Sequence, residues 1–166
     1  MLYCIVGPSG SGKSTIVNEL NKLGYTAANS YTTRPKRTPN EIGHTFITDE
    51  EFDKLQNIVA YTVFNGYRYC VTKEMLDGCD LYIIDPPGIK TLKDSGYTNF
   101  KTIGLILDKN KCTNRMLSRG DTLDKVQSRL DNDDKIFDGF ENICDYKIDA
   151  SKSISNIVNE ILQIIK

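Results

Sequence analysis

Eight consecutive residues, Gly7-Pro8-Ser9-Gly10-Ser11-Gly12-Lys13-Ser14, fit the spacing G-x-x-x-x-G-K-[ST], and Thr15 follows them. Glycines at these positions let the backbone turn tightly and aim several N–H groups at one point. A helix beginning at the lysine adds its positive N-terminal end. Such a cradle suits phosphate: Lys13 reaches the β- and γ-phosphates of a nucleoside triphosphate, and the Ser14 hydroxyl ligates Mg²⁺. The competing reading is a Gly/Ser-rich turn that binds nothing. Context argues against it, because an apolar run at Leu2 to Val6 precedes the turn and Ile16, Val17, Leu20 and Leu23 follow it at helical spacing.

A second set of cations is placed for a second phosphate. Arg34, Lys36 and Arg37 lie in TTRPKR, between stiffening prolines at 35 and 39. Arginine's planar fork matches phosphate oxygens two at a time. A solvated basic loop is the plainer alternative. Arg115 and Arg119 are four apart and share a helix face, and Arg129 lies beyond the turn Arg119-Gly120-Asp121. Three arginines from two helices can converge on a transferring phosphoryl group and neutralise its oxygens. Surface arginines with local partners are the alternative there.

The elements that must position these residues read as follows. Leu2 to Val6 is a strand and Lys13 to Leu23 a helix, with a short strand at Tyr25 to Ser30. Residues 31–45 form a loop. Thr48 and Glu51 have capping-box spacing and open a helix near Asp49 to Leu55. Ile58 to Phe64 and Tyr67 to Val71 flank Asn65-Gly66, a hairpin dipeptide, and Thr72 to Leu76 is a short helix. Leu81 to Ile84, ended by Asp85-Pro86-Pro87-Gly88, and Thr102 to Leu107 are continuous apolar runs of the kind buried on both faces of a parallel sheet. Asn110 to Ser118 and Thr122 to Phe137 are helices and Tyr146 to Ile148 a last strand. An amphipathic helix starting at Ser151 or Ser153 closes the pattern.

Composition bounds the class. The chain has 166 residues, 39% of them apolar, which suits one globular domain. Its 21 Lys and Arg against 22 Asp and Glu leave a net charge of −1, so no nucleic-acid polymer and no membrane surface are expected as partners. No apolar run approaches a membrane span, and MLYCIVGPSG lacks the features of a secretory signal. Five widely spaced cysteines, no CxxC and a single histidine argue against a zinc site or a disulfide framework. Reduced thiols point to a reducing compartment, and a cytoplasmic location is expected.

Together the strings GPSGSGKST at 7–15, SYTTRPKR at 30–37, TDEEF at 48–52, NGYRY at 65–69, RMLSRG at 115–120 and SRL at 128–130 resemble guanylate kinase, in family order over almost the whole chain. The resemblance implies an α/β fold: a three-layer P-loop NTPase core with a mostly parallel sheet, a small α+β insertion that binds a nucleoside monophosphate, and a helical lid. By that reading the core is about 1–29, 80–114 and 139–166, the insertion about 30–79 and the lid about 115–138. It implies an ATP-dependent nucleoside monophosphate kinase, monomeric or homodimeric, assisted by Mg²⁺. ATP would occupy Gly7, Pro8, Ser9, Gly10, Ser11, Gly12, Lys13, Ser14 and Thr15, with Arg115 beside it. Arg34 and Arg37 would hold the acceptor phosphate with Tyr69, while Ser30 and Asp85 face the acceptor nucleotide. His44 stands where the family has a phosphate-binding tyrosine. Lys13, Arg34, Arg119 and Arg129 would carry the transfer.

The chain departs from the family mainly in base recognition. Ala60 occupies the place of the guanine-reading glutamate, Val71 that of a serine or threonine, and Ile83 that of the first aspartate of D-x-D. GMP or dGMP is the leading acceptor. Thymidylate, a modified pyrimidine nucleotide or a ribose bisphosphate competes with it. A non-catalytic binding module of the same fold and a GTPase switch are further alternatives; the module typically lacks the loop lysine, and the switch requires NKxD, which Asp108-Lys109-Asn110 does not match.

Overall fold

The structure, a computed structural model, describes residues 1–41 and 43–165. In chain order its elements are β1 (Leu2–Val6), α1 (Lys13–Lys22), β2 (Ala27–Ala28), β3 (Ser30–Thr32), β4 (His44–Phe46), α2 (Asp49–Phe52), β5 (Ile58–Phe64), β6 (Tyr67–Thr72), α3 (Lys73–Leu76), β7 (Leu81–Ile83), α4 (Pro86–Asp94), β8 (Phe100–Ile106), α5 (Lys109–Ser118), α6 (Leu123–Ile136), a 3₁₀ turn (Phe140–Ile143), β9 (Tyr146–Asp149) and α7 (Ile154–Ile164). One sheet runs β2-β7-β1-β8-β9, and every pairing in it is parallel. The second runs β4-β3-β6-β5 and is mixed.

Strand alternation in β1 explains the layering. Ile5 points to a cluster with Ile16, Val17 and Leu20 of α1 and Ile157, Val158 and Ile161 of α7. Leu2, Cys4 and Val6 point the other way, toward Ile89 and Leu92 of α4, Leu76 of α3, and Ala60 and Val71 of the hairpin. Helices therefore cover both faces of the parallel sheet, as its near-continuous apolar strands require. Each fully buried Leu or Ile contributes roughly 1.5–3 kcal/mol. The expected three-layer α/β architecture is present.

Three stretches differ from the sequence reading. Tyr25 to Ser30 is not one strand: Ala27–Ala28 joins the parallel sheet and Ser30–Thr32 the mixed one, so the chain changes sheets at Asn29. The segment 31–45 is not all loop, because His44 to Phe46 pairs in parallel with Ser30 to Thr32. Position 42 of that segment lies outside the described residues. Pro86 to Asp94, which the prolines made look like a break, is a helix. Proline at the first helical positions lacks only an N–H that would be unpaired anyway, and the Asp85 side chain caps the end by accepting from Gly88 N at 2.8 Å. Asp85-Pro86-Pro87-Gly88 also spells the D-x-x-G of a switch protein; here the string is a helix start.

Local chemistry holds where the sequence was explicit. Thr48 and Glu51 form both bonds of the capping box, although α2 makes only one turn and ends at Phe52. Asn65 and Gly66 both take positive φ, 51° and 77°, in the turn that joins β5 to β6. Ser153 caps α7.

Candidate functional site

The loop between β1 and α1 carries the first half of the site. Gly10 has φ 79° and Gly12 φ 102°, and a Cβ on Gly10 would lie 2.5 Å from the Cys112 carbonyl oxygen. Neither position accepts another residue without strain. The Lys13 ammonium arches back over the loop and donates to Gly7 O at 2.6 Å and Pro8 O at 2.9 Å. Burial lowers its pKa to about 8; Asp133, Cys112 and Asp85 oppose that shift and Arg119 adds to it. Ser14 and Thr15 lie exposed on the first turn of α1.

Arg34, just beyond β3, carries the second half. Its side chain is 8% exposed, and both terminal nitrogens meet Glu41: Nη2 to Oε1 at 2.7 Å and Nη1 to Oε2 at 3.2 Å. The Arg37 backbone N–H donates to the same carboxylate at 2.6 Å. Burial alone would raise the Glu41 carboxyl, but these donors outweigh it and hold it at about 2. Tyr69, nearby, favours the charged form of Arg34 further. His44 packs edge-on against Tyr69 at 5.7 Å, and its Nδ1 pairs with the buried Ser30 hydroxyl at 2.8 Å. Burial, then Arg34, push the His44 pKa down to about 4, so it is neutral near pH 7.

Asp85, two residues past β7 at the cap of α4, is buried within electrostatic reach of Lys13. Burial raises its carboxyl pKa, against the Gly88 N–H, the Thr62 side chain and Lys13. Ala60 and Val71 are buried in the apolar cluster beside Tyr82 and Ile84, and present no polar group.

The three arginines expected to bridge the halves have different surroundings. Arg115 donates to Ser11 O at 3.2 Å and Ala150 O at 2.8 Å, fastening α5 to the loop. Arg119 is held by Asp121, with Nε at 2.7 Å and Nη2 at 2.6 Å from Oδ2. Arg129 is half-buried on α6. Desolvation lowers its pKa, and Arg119 and Arg34 lower it further. Arg37 is lowered by desolvation, then by Arg129 and Arg34. Positive charge thus accumulates from Lys13 through Arg119 and Arg129 to Arg34 and Arg37, with Glu41 paired to Arg34 and Asp121 to Arg119.

Two carboxylates in this site were not singled out from sequence. Glu41 had a signal, an acid four residues past Arg37 in a basic loop. Asp133 had none: its Oδ2 accepts from Ser9 N at 2.8 Å, across 124 positions of sequence.

No family model matches the chain. Partial matches to guanylate kinases are found. That of Schizosaccharomyces pombe is 40% identical over 75 residues, 39% of this chain and 36% of the relative. That of Koribacter versatilis is 33% identical over 105 residues, 55% of this chain and 45% of the relative. That of Thermotoga maritima is 47% identical over 57 residues, 32% of this chain and 28% of the relative. The chain thus spans less than half the length of these curated relatives. In fold, the guanylate kinase of Anaplasma phagocytophilum superposes with a TM-score of 0.73 at 19% identity, over 99% of this chain and 84% of that one. The family on which the partial sequence matches and the whole-chain fold agree is that of the guanylate kinases.

Proposed function

We propose that the chain is a nucleoside monophosphate kinase that transfers the γ-phosphoryl of ATP to GMP or dGMP. The observation that carries this reading is the strand–loop–helix around Lys13, with Gly10 and Gly12 at positive φ and the Lys13 ammonium folded back over the loop at 2.6 Å from Gly7 O. Arg34, Arg37, Arg119 and Arg129 supply further positive charge for two phosphates facing each other.

In this reading the loop amides and Lys13 hold the donor's β- and γ-phosphates. Arg34, Arg37 and Tyr69 hold the acceptor's phosphate. An acceptor oxygen attacks the γ-phosphorus in line, the bond to the β-bridging oxygen breaks, and ADP leaves with that electron pair. Arg119 and Arg129 stabilise the charge on the equatorial oxygens. Arg115 keeps the loop in register through Ser11. Residues 115–138 act as the lid and 30–79 as the acceptor-binding insertion, closing together to exclude water.

The site fits Mg²⁺ as a hard ion carried on nucleotide oxygens. Ser14 offers one hard hydroxyl, and among the described residues no group of three or more His, Cys, Asp or Glu could hold a metal by itself. Bound there, the ion would neutralise charge between the β- and γ-phosphates. Among the described residues no helix is long and apolar enough to cross a membrane. A cytoplasmic enzyme, monomeric or homodimeric, is the accompanying proposal.

A second acceptor is favoured by one observation: Ala60 and Val71 are apolar and buried, so no carboxylate there pairs with guanine N–H groups. Thymidylate or a modified pyrimidine nucleotide fits that wall better. A panel of each common NMP and dNMP with ATP and Mg²⁺, scored for diphosphate formation, tests both. Turnover that depends on a monophosphate is expected. ATP hydrolysis indifferent to every monophosphate would defeat the kinase reading.

A further inference from the structure

Asp133 sits on α6, one turn past Arg129 and on the same face of the helix. Its side chain enters the phosphate loop. Oδ2 accepts from Ser9 N at 2.8 Å. The residue is 5% exposed, and Oδ1 has no hydrogen-bond partner among the described residues. A buried carboxylate with one oxygen unmatched is costly, and the cost is tolerated where the group has a task. A loop that aims N–H groups inward is built for phosphate oxygens, and here a carboxylate of the protein holds a backbone donor of that loop, the Ser9 N–H.

We propose that Asp133 is an internal occupant of the phosphate loop, which a nucleotide phosphate must displace. The inference rests on reading that loop as the nucleotide site. One N–H donates fully to one acceptor, and a polyphosphate beside a desolvated carboxylate is repelled by it. Both cannot stay. Space exists for the exchange. A cavity of about 190 Å³, lined in part by Ser9, Cys112, Leu130, Asp133 and Phe137, separates α6 from the loop. A gap of about 470 Å³ on the other side of α6 reaches the hairpin tip at Asn65. When Asp133 leaves, α6 is released from Ser9, and Arg129 moves with it. Asp133 is thus a positioning residue: it latches the arginine-bearing helix until donor phosphate arrives.

Binding of ADP, and of ATP, to the full chain without acceptor or metal tests this by calorimetry on wild type, D133A and D133N. D133A is expected to bind ADP about tenfold more tightly. D133N keeps an accepting oxygen but loses the charge, and should fall between. Amide exchange at Ser9 in nucleotide-free protein should quicken in D133A, because Ser9 N loses its acceptor. A purely structural contact would not improve affinity on removal. Unchanged or weaker binding by a folded D133A overturns the proposal, and if D133A fails to fold, unchanged affinity in D133N does so. Tight ADP binding by wild type together with either result leaves the loop assignment standing. No binding by any of the three proteins removes both.

Discussion

Arg34 and Glu41 meet through two parallel hydrogen bonds, at 2.7 and 3.2 Å, with Arg37 N donating to the same carboxylate. The arginine proposed to grip the acceptor phosphate is already gripped by a carboxylate from its own loop. Arginine pairs carboxylate and phosphate with the same fork, so Glu41 shapes the proposed anion site and would compete for it.

Changing Glu41 therefore has two expected effects. Glu41→Gln should lower thermal stability, since a hydrogen bond to a charged group contributes about 1.5–3 kcal/mol. It should also leave Arg34 uncompensated and lower the acceptor KM, whereas Arg34→Ala should raise that KM. Steady-state kinetics with varied acceptor and a melting curve for each variant check this. An unchanged acceptor KM in Arg34→Ala would remove the loop from the site.

Acid should weaken the insertion in two windows. His44 is held at about 4 against an ordinary 6.5, so the unfolded chain binds its proton first and stability falls as pH drops from about 6.5 to 4. Glu41 is held at about 2 against 4.5, so its contribution is complete above about 4.5 and is lost as pH falls toward 2. Denaturant unfolding from pH 7 to 3 should show the first loss in wild type and not in His44→Asn.

Alkali should act on the other half. With its pKa lowered to about 8, Lys13 loses its charge in the nucleotide-free protein as pH rises past that value, while the unfolded lysine stays protonated to about 10.5. ADP affinity should therefore fall between pH 8 and 9.5. Lys13→Ala should already bind weakly at pH 7 and lack this limb, with turnover reduced on the order of 10²-fold or more. A flat wild-type affinity over this range would contradict the assignment.

Arg129 and Arg115 should separate by the kind of defect. Arg129 lies within the cationic run, so Arg129→Ala should cut kcat on the order of 10²–10³-fold and leave the fold intact. Arg115 is tied to Ser11 O and Ala150 O, so Arg115→Ala should weaken ATP binding and lower the melting temperature. Rates and melting curves on both variants decide it.

Gly10→Ala should be the most damaging single change in the loop. A Cβ there would collide with Cys112 O at 2.5 Å and the residue would keep φ near 79°, so nucleotide binding should vanish and the melting temperature drop. An Ala variant that binds ADP normally would show that the loop tolerates another backbone path.

Neighbouring residues alone were enough to set the local elements. The strand–loop–helix around Lys13, the Thr48–Glu51 capping box, the Asn65-Gly66 hairpin and the Ser153-capped helix each depend on residues a few positions apart, whose propensities agree with one another. Tertiary structure decided the rest. Whether Ala27 and Ser30 share a sheet depends on which partners wait on either side of Asn29. His44 became a strand residue because β3 offers its edge. The candidate site follows the same division. The chain order displays the cations, but the carboxylate contacts around them, Glu41 on Arg34 and Asp133 on Ser9 N, depend on where the chain returns in space. Charge acts through distance, and sequence spacing does not specify distance between residues 124 positions apart.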